Sequence, residues 1–455
     1  MKSSIVLLPL AAAVALPLLA LTGGAPTQRS GIPGEAGGAT CTACHQGAAA
    51  NSDARGRLTI EARNYKPGVK QLIRVILEHP DASKWGFQLT ARVAGNESAP
   101  AGSFTANALI RVRCGAGGAN APCPEGETQF AGHNGLAATR VGQRNRSEWL
   151  VEWTPPEARP GSISGSVIFY AAGNAANNSG TNAGDFIYTT NLTIEVESCN
   201  LPKPTISAIR NGASFLDGPV SFNTLITIAG SGFQAAGTTR TADAADLSGG
   251  RFPTEMGCIA VEVAGQPTPL LYAQANQINA QVRTISALGA VPVTVVANPG
   301  TPNERRSDPV NLTLAAASPA FFRILPTPCI AAVFAATGQV TGDPSLLQGV
   351  RGVRPGDIIS LFATGLGALE PVYQAGEIVD RAVPLAGGVQ LEWGGRTVDP
   401  ADILYVGAAP GLISGLYQIN LRVPGNVTSN AQNQVRLRVG GALSPEGTTI
   451  YVAPN

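Results

Sequence analysis

The chain has 455 residues, of which 13% are charged, and its 31 Lys and Arg nearly balance its 30 Asp and Glu. This length suggests about three domains of roughly 100–200 residues each. The net charge of +1 excludes a broadly basic nucleic-acid binder and a polybasic protein of the membrane surface.

Residues 1–25 are predicted to be a secretory signal peptide. Lys2 provides a short positive start, residues 5–21 form an uncharged apolar run, and small residues follow. An uncleaved anchor is the alternative, because an apolar run of this length nearly spans a bilayer. Pro9 and Pro17 favour cleavage. No later run is long enough to span, so the mature chain is expected to be exported without a membrane span, to the periplasm, the outer surface or the extracellular space.

One chemical motif follows the signal peptide. Residues 41–45 read C-T-A-C-H, the spacing with which two thiols form thioethers to haem and the adjacent histidine binds its iron. We therefore predict one covalent haem c held by Cys41, Cys44 and His45. A Cys41–Cys44 disulfide and an incomplete zinc site are the alternatives. A zinc site needs about four ligands, and no second C-x-x-C exists.

Residues 26–200 are predicted to form a β-sandwich. The 54 glycines and 34 prolines, with so few charges, favour short strands joined by turns. Leu58, Ile60 and Ala62 alternate with polar residues. Further apolar runs, each bounded by turn residues, occur at 72–77, 86–94, 106–112, 149–153, 163–171 and 186–196.

The sixth ligand of such a haem has three candidates, His79, His133 and Met256. We favour His133, because histidine is a strong axial ligand and its loop belongs to the module that carries the motif. A solvated loop histidine is the alternative for His133. His79 precedes a proline in a turn, and Met256 belongs to a different module.

Other cysteines and one polar loop have structural interpretations. Cys114 and Cys123 are close enough in the chain to close a small loop by a disulfide. Cys258 is expected to pair with Cys329, which leaves Cys199 over, although sequence does not fix connectivity. The Asn- and Gly-rich loop at 173–180, followed by Asp185, offers oxygens for calcium, but a plain hairpin loop is preferred.

The second half of the chain contains an internal repeat, after a proline-rich linker at 199–204. Residues 225–233 match 358–366 at an offset of 365 − 232 = 133, and residues 277–279 match 418–420 at 418 − 277 = 141. Two Ig-like β-sandwiches are therefore predicted, at 201–316 and 317–455. Gly232 and Gly365 are expected where φ must be positive.

Motifs of the common enzyme classes are missing. The chain has no P-loop, no H-E-x-x-H and no G-x-S-x-G. Three histidines leave few ways to assemble a catalytic triad once His45 is committed to haem. The protein is therefore predicted not to be an enzyme, with a haem enzyme such as a peroxidase kept as a lower-ranked possibility.

The first module resembles the bacterial Reeler-like domain, also known from choice-of-anchor V proteins. The resemblance covers about residues 30–197 and is carried by segments in the order of that family, at 32–35, 41–45, 65–68, 85–89, 153–156, 169–177 and 184–188. The family commonly shows a histidine before its Trp-Thr-Pro segment, which supports His133. The spacing between Glu35 and Cys41 is longer here.

Residues 204–455 resemble the C-terminal domain family described from Solibacter-type acidobacterial secreted proteins. The resemblance is carried by segments at 211–215, 271–282, 363–367 and 409–420. It implies an exported, surface-associated, Ig-like β module and an acidobacterial source, and it implies no chemistry.

These observations predict an exported, all-β, three-module protein with one c-type haem. The leading function is electron transfer or redox sensing at the cell envelope, with an unidentified redox partner. The alternative is a surface adhesion or matrix-binding protein, with a surface ligand and with haem structural or absent. The fold alone does not identify either function.

Overall fold

The computed structural model describes residues 24–33, 37–47, 49–157, 165–244, 246–285, 288–408 and 410–454. The chain forms two compact units that divide between Glu197 and Ser198. Most of the predicted signal peptide, residues 1–23, lies outside the described residues. Within the described ranges, no helix combines the length and the apolar character needed to cross a membrane.

The described residues of unit 1 (residues up to Glu197) form twelve strands. They are β1 (Gln46–Gly47), β2 (Arg57–Glu61), β3 (Gln71–His79), β4 (Lys84–Val93), β5 (Asn96–Pro100), β6 (Ser103–Phe104), β7 (Ile110–Cys114), β8 (Ala119–Asn120), β9 (Gln129–His133), β10 (Asn145–Thr154), β11 (Val167–Ala176) and β12 (Ala183–Ile194). A 3₁₀ turn at Cys41–Ala43 and the one-turn helix α1 (Gly135–Ala138) complete the unit.

The strands of unit 1 form two sheets. The large sheet has the order β1-β12-β11-β4-β9-β7-β8, with β5 added on β4, and the small sheet has the order β2-β3-β10-β6. Their facing side chains build one core around the buried indoles of Trp85, Trp149 and Trp153. Alternation along β11 directs Ala171 and Ala175 into this core and therefore turns Ala172 and Asn174 to the other face of the large sheet.

Sequence patterning identifies the long strands of unit 1 but misses several short ones. The pattern at 106–112 predicts a strand, whereas β7 begins only at Ile110. The short strand β9, which ends in His133, has too few residues for a clear alternation. A disulfide joins Cys114 and Cys123, the pairing expected from their spacing.

Unit 2 (residues from Ser198) contains two sets of strands. The first set is β13 (Thr205–Asn211), β14 (Leu225–Ser231), β15 (Thr239–Thr241), β16 (Glu255–Met256), β17 (Ile259–Val263), β18 (Gln266–Pro267), β19 (Leu270–Gln274), β20 (Gln277–Gln281), β21 (Gly289–Ala297), β22 (Arg305–Arg306) and β23 (Val310–Leu314). The second set is β24 (Ala320–Phe321), β25 (Ala332–Phe334), β26 (Ile358–Thr364), β27 (Val383–Pro384), β28 (Val389–Trp393), β29 (Arg396–Thr397), β30 (Ile403–Ala408), β31 (Tyr417–Arg422), β32 (Ala431–Val439), β33 (Ala442–Leu443) and β34 (Thr449–Val452), with a 3₁₀ turn at Pro400–Asp402.

The internal repeat corresponds to two sandwiches of related topology. One sheet of the first sandwich has the order β13-β14-β20-β19-β15, and the matching sheet of the second has the order β24-β26-β31-β30-β27. Each sandwich has its own hydrophobic core. Gly232 and Gly365 have φ of 75° and 76°, which confirms the expected positive values. Both sandwiches lie in one compact unit.

The predicted Cys258–Cys329 disulfide is wrong. Cys258 is bonded to Cys199, with a Cα–Cα distance of 5.4 Å, and Cys329 is a buried free cysteine. The backbone of Cys329 forms an isolated β-bridge with that of Thr449 in the second sandwich. Cys258 lies between β16 and β17 of the first sandwich. A disulfide needs Cα atoms about 4.4–6.8 Å apart. The segment expected to be a linker is therefore tied to the first sandwich at Cys199.

Candidate functional site

A cavity of about 220 Å³ lies in unit 1, and the four predicted haem residues line it together. Cys41, Cys44 and His45 come from the turn before β1, and His133 comes from the end of β9. His133 is 133 − 45 = 88 residues away from His45 in the chain. Strand pairing therefore brings the predicted sixth ligand to the same cavity as the C-x-x-C-H motif.

The C-x-x-C-H segment is an ordered turn on the outer face of the large sheet. The Thr40 hydroxyl accepts the Thr42 amide at 3.2 Å and so caps the 3₁₀ turn, while the His45 amide donates to the Cys41 carbonyl at 2.9 Å. Cys41 packs against Ala172 of β11 and Ile187 of β12. The Asn182 side chain donates to the Cys44 carbonyl at 2.7 Å. These contacts hold a Gly- and Ala-rich stretch that has little structure of its own.

A buried carboxylate contacts the ring of His45. Nδ1 of His45 lies 2.6 Å from Oδ2 of Asp185, whose side chain is only 2% exposed. The amide nitrogen of Asn174 lies 3.0 Å from Nδ1 and 3.2 Å from Nε2 of the same ring. Since a carboxylate accepts hydrogen bonds, Nδ1 of His45 is the donor toward Asp185, and in a neutral imidazole with this tautomer the lone pair is on Nε2.

His133 is buried beside the backbone of β4. Its Nδ1 lies 3.2 Å from the amide nitrogen of Phe87 and 3.4 Å from the carbonyl oxygen of that residue. Burial lowers the pKa of His133 to about 4, so the imidazole is neutral at pH 7. A Cβ added to Gly86 would lie 2.7 Å from Cε1 of His133, so only glycine leaves room for this ring.

The Cys41 thiol lacks the lowered pKa of a redox-active cysteine. Burial raises the pKa of the Cys41 thiol to about 12, whereas reactive cysteines have lowered values. Cys41 and Cys44 are not joined by a disulfide. In the described part of the chain, no three ligand atoms from Cys41, Cys44, His45 and His133 lie within 4.8 Å of one another. The arrangement is therefore unlike a compact tetrahedral zinc site.

The remaining candidate residues lie elsewhere. His79 is buried at the end of β3, where its Nδ1 accepts the Asp81 amide at 3.2 Å and its Nε2 lies 3.3 Å from Oδ2 of Asp53. Met256 belongs to the core of the first sandwich of unit 2. The loop considered for calcium connects β11 and β12 as a hairpin, and both carboxylate oxygens of Asp185 have hydrogen-bond partners.

Asp185, Asn174 and Gly86 line the cavity, but the sequence predictions assign them no role at the haem site. Asn174 and Gly86 are register partners on neighbouring strands β11 and β4. The missed signal is alternation, because Asn174 is a polar residue amid the apolar run of β11 on the face away from the core.

No family model matches the chain, and no curated protein matches it. Among solved structures, the chain is similar to the reeler domain of human F-spondin (fragment 1), with 21% identity, coverage of 33% of this chain and 95% of that chain, and a TM-score of 0.20. It is also similar to the Reelin-N domain of F-spondin, with 18% identity, coverage of 35% and 96%, and a TM-score of 0.20. A third likeness is to the seventh ScaB type I cohesin from Pseudobacteroides cellulosolvens, with 11% identity, coverage of 31% and 91%, and a TM-score of 0.20.

Proposed function

We propose that unit 1 carries one covalent c-type haem and that the protein transfers or senses electrons at the cell envelope. Cys41 and Cys44 would provide the thioether links, and His45 and His133 would hold the iron. The observation that carries the proposal is the convergence of these four side chains on one cavity. Haem, when bound, supplies reversible one-electron exchange between ferric and ferrous iron.

The chemistry of the donor set fits this group. When the His45 ring is neutral, its lone pair is on Nε2 because Nδ1 donates to Asp185, the usual arrangement of a ligating histidine. Neutral His133 has one unprotonated ring nitrogen, and that nitrogen is Nε2 in the tautomer whose Nδ1–H donates to the Phe87 carbonyl instead of accepting from the Phe87 amide. The Oδ1 atom of Asn174, in the cavity wall, is buried without a hydrogen-bond partner among the described residues. It can therefore accept a hydrogen bond from a bound group.

The cavity wall also fits an apolar macrocycle with carboxylate groups. Trp85, Phe87 and Ala176 provide apolar surface. Arg29 and Lys84 line the same cavity, and the buried Nε of Arg29 has no hydrogen-bond partner in the described ranges. These two cations favour the acidic edge of a haem by charge.

Export is part of the proposal. The Cys114–Cys123 and Cys199–Cys258 disulfides are typical of proteins from oxidising compartments. The proposed signal peptide would deliver the chain to such a compartment, where the thioether links form after export.

The test is covalent haem on protein exported with a cytochrome maturation system. We expect haem staining on a denaturing gel and a pyridine haemochrome spectrum for the wild type, and loss of both in Cys41→Ser/Cys44→Ser. Cys329→Ser is the matched control, because it removes a free cysteine of unit 2 and should keep its haem. A correctly exported and matured wild type without haem would reject the proposal.

A further inference from the structure

Asp185 is a buried carboxylate, and its shortest hydrogen bond is with the ring of His45. Its Oδ2 is 2.6 Å from Nδ1 of His45, and its Oδ1 accepts the Asn177 amide at 3.3 Å. Asn174 donates to Oδ2 at 3.4 Å. Among the described residues, no Lys or Arg forms an ion pair with Asp185. In the described part of the chain, the negative charge of Asp185 is therefore met by hydrogen bonds from His45, Asn174 and the Asn177 amide rather than by a Lys or Arg.

The position of Asp185 follows from strand pairing. β1, which directly follows His45, pairs in parallel with β12, and Gly47 is the register partner of Asp185. The backbone on either side of the contact is thus held by the sheet and by the ordered turn at Cys41–Ala43. The ring of His45 is fixed in one orientation by two elements rather than by a mobile loop.

We propose that Asp185 is a positioning residue that makes His45 a strongly electron-donating ligand, so that the site is a low-potential centre. The inference rests on the proposed function, because it concerns the potential of the haem that His45 would bind. A carboxylate that accepts the Nδ1 proton raises the basicity of the other ring nitrogen. A more basic ligand and a buried negative charge both stabilise ferric over ferrous iron, which lowers the reduction potential.

A low reduction potential restricts the redox partners that the site can use. Reduction takes one electron from a one-electron donor and converts ferric to ferrous iron without breaking a bond. A low-potential site needs a donor of still lower potential, and in its ferrous form it reduces acceptors of higher potential. The electron donor is therefore a low-potential carrier, and the site is a poor oxidant.

The test is the reduction potential of the holoprotein, measured by spectroelectrochemistry on wild type, Asp185→Asn and Asp185→Glu. Asparagine keeps the shape but removes the charge. We expect Asp185→Asn to raise the potential by at least about 59 mV, which corresponds to a tenfold change in the one-electron equilibrium. Asp185→Glu restores the carboxylate and should recover most of the wild-type value.

Asp53→Asn is the matched control, since Asp53 contacts His79 and neither residue lines the cavity. Its potential should equal that of wild type. An unchanged potential in Asp185→Asn with full haem content would overturn the inference and leave the proposed function standing. A wild type without covalent haem would instead overturn the proposed function.

A second measurement does not require haem. Nitrogen-15 NMR of the Cys41→Ser/Cys44→Ser apoprotein reports which nitrogen of each imidazole carries the proton, and the chain has only 3 histidines to assign. We expect the Nδ1–H form for His45 and its loss on adding Asp185→Asn. Finding the Nε2–H form in the presence of Asp185 would contradict the proposed role, even if Asp185→Asn does not mature with haem.

Discussion

Gly86 controls where the ring of His133 lies. A Cβ at this position would lie 2.7 Å from Cε1 and 3.1 Å from Nδ1 of the ring, which is closer than atoms in van der Waals contact approach. The ring is also buried and lines the cavity, which is the space into which it can move. A single added methyl group should therefore move the proposed sixth ligand without changing its chemistry.

We expect Gly86→Ala to convert part or all of a low-spin haem spectrum to high-spin while His133 remains present. The measurement is the optical spectrum of the matured holoprotein, with haem content determined separately. Gly117→Ala is the control, because a Cβ at Gly117 meets no atom within 4 Å. A fully low-spin Gly86→Ala protein would show that the ring position seen here does not matter for ligation.

His133→Ala removes the proposed ligand atom itself. We expect the low-spin spectrum to become high-spin, because the iron loses its sixth ligand. Covalent attachment should survive, since Cys41, Cys44 and His45 are unchanged. A spectrum identical to that of wild type would mean that another group supplies the sixth ligand.

At the scale of elements, the segment before the C-x-x-C-H turn forms a wall of the cavity. Gly24, Ala25, Pro26 and Arg29 line it. Because Gly24 and Ala25 belong to the predicted signal peptide, Pro26 and Arg29 are the wall residues expected in the mature chain. The buried side chain of Gln88 on β4 holds this segment, because its amide nitrogen donates to the Pro26 carbonyl at 2.7 Å and its oxygen accepts the Arg29 amide at 2.6 Å. Gln88 thus holds the irregular segment at 26–29 against the large sheet by two hydrogen bonds.

Gln88→Leu should loosen this wall. The substitution leaves buried backbone groups without partners, at a cost of about 1–3 kcal/mol. We expect trypsin to cleave after Arg29 at least about fivefold faster, since a loss of 1.4 kcal/mol changes an opening equilibrium about tenfold. Mass spectrometry of the released N-terminus measures the rate. Gln143→Leu replaces an exposed glutamine as the control, and equal rates in both variants would contradict the fastening role.

At the scale of the whole molecule, polar contacts join the two sandwiches of unit 2. The buried side chain of Gln281 accepts the Gly376 amide at 2.6 Å and donates to the Ser414 hydroxyl at 3.2 Å. Arg251 forms an ion pair with Glu377 at 2.6 Å. Because Gln281 belongs to the first sandwich and its partners to the second, unit 2 should unfold as one cooperative body.

Gln281→Leu should weaken that coupling. Loss of the amide leaves the Gly376 N–H without its partner, which costs about 1–3 kcal/mol of unfolding free energy. We expect calorimetry of the full chain to show an earlier transition for unit 2, split into two if the sandwiches unfold separately. Gln266→Leu, at an exposed position of the same sandwich, should change stability by no more than about 0.5 kcal/mol. A Gln281→Leu transition identical to wild type would contradict the coupling.

Equivalent positions of the internal repeat share their strand register but not their burial. Position 281 corresponds to position 422 at the offset of 141, and the register agrees, because Leu225 pairs with Gln281 and Ile358 pairs with Arg422. The two positions nevertheless differ, since Gln281 is buried and Arg422 is exposed. Gln281 is buried because it contacts the other sandwich. An alignment of the two repeats cannot predict these contacts.

The all-β class, the tandem repeat and the positive φ of Gly232 and Gly365 follow from the amino-acid order alone. Each depends on residues close together in the chain, where alternation and turn chemistry act directly. The C-x-x-C-H spacing likewise predicts its chemistry without a fold. The cavity, the Asp185 contact and the Cys199–Cys258 bond depend on residues that only strand pairing and packing bring together. Chain order does not encode these distances locally, so the tertiary structure decided them.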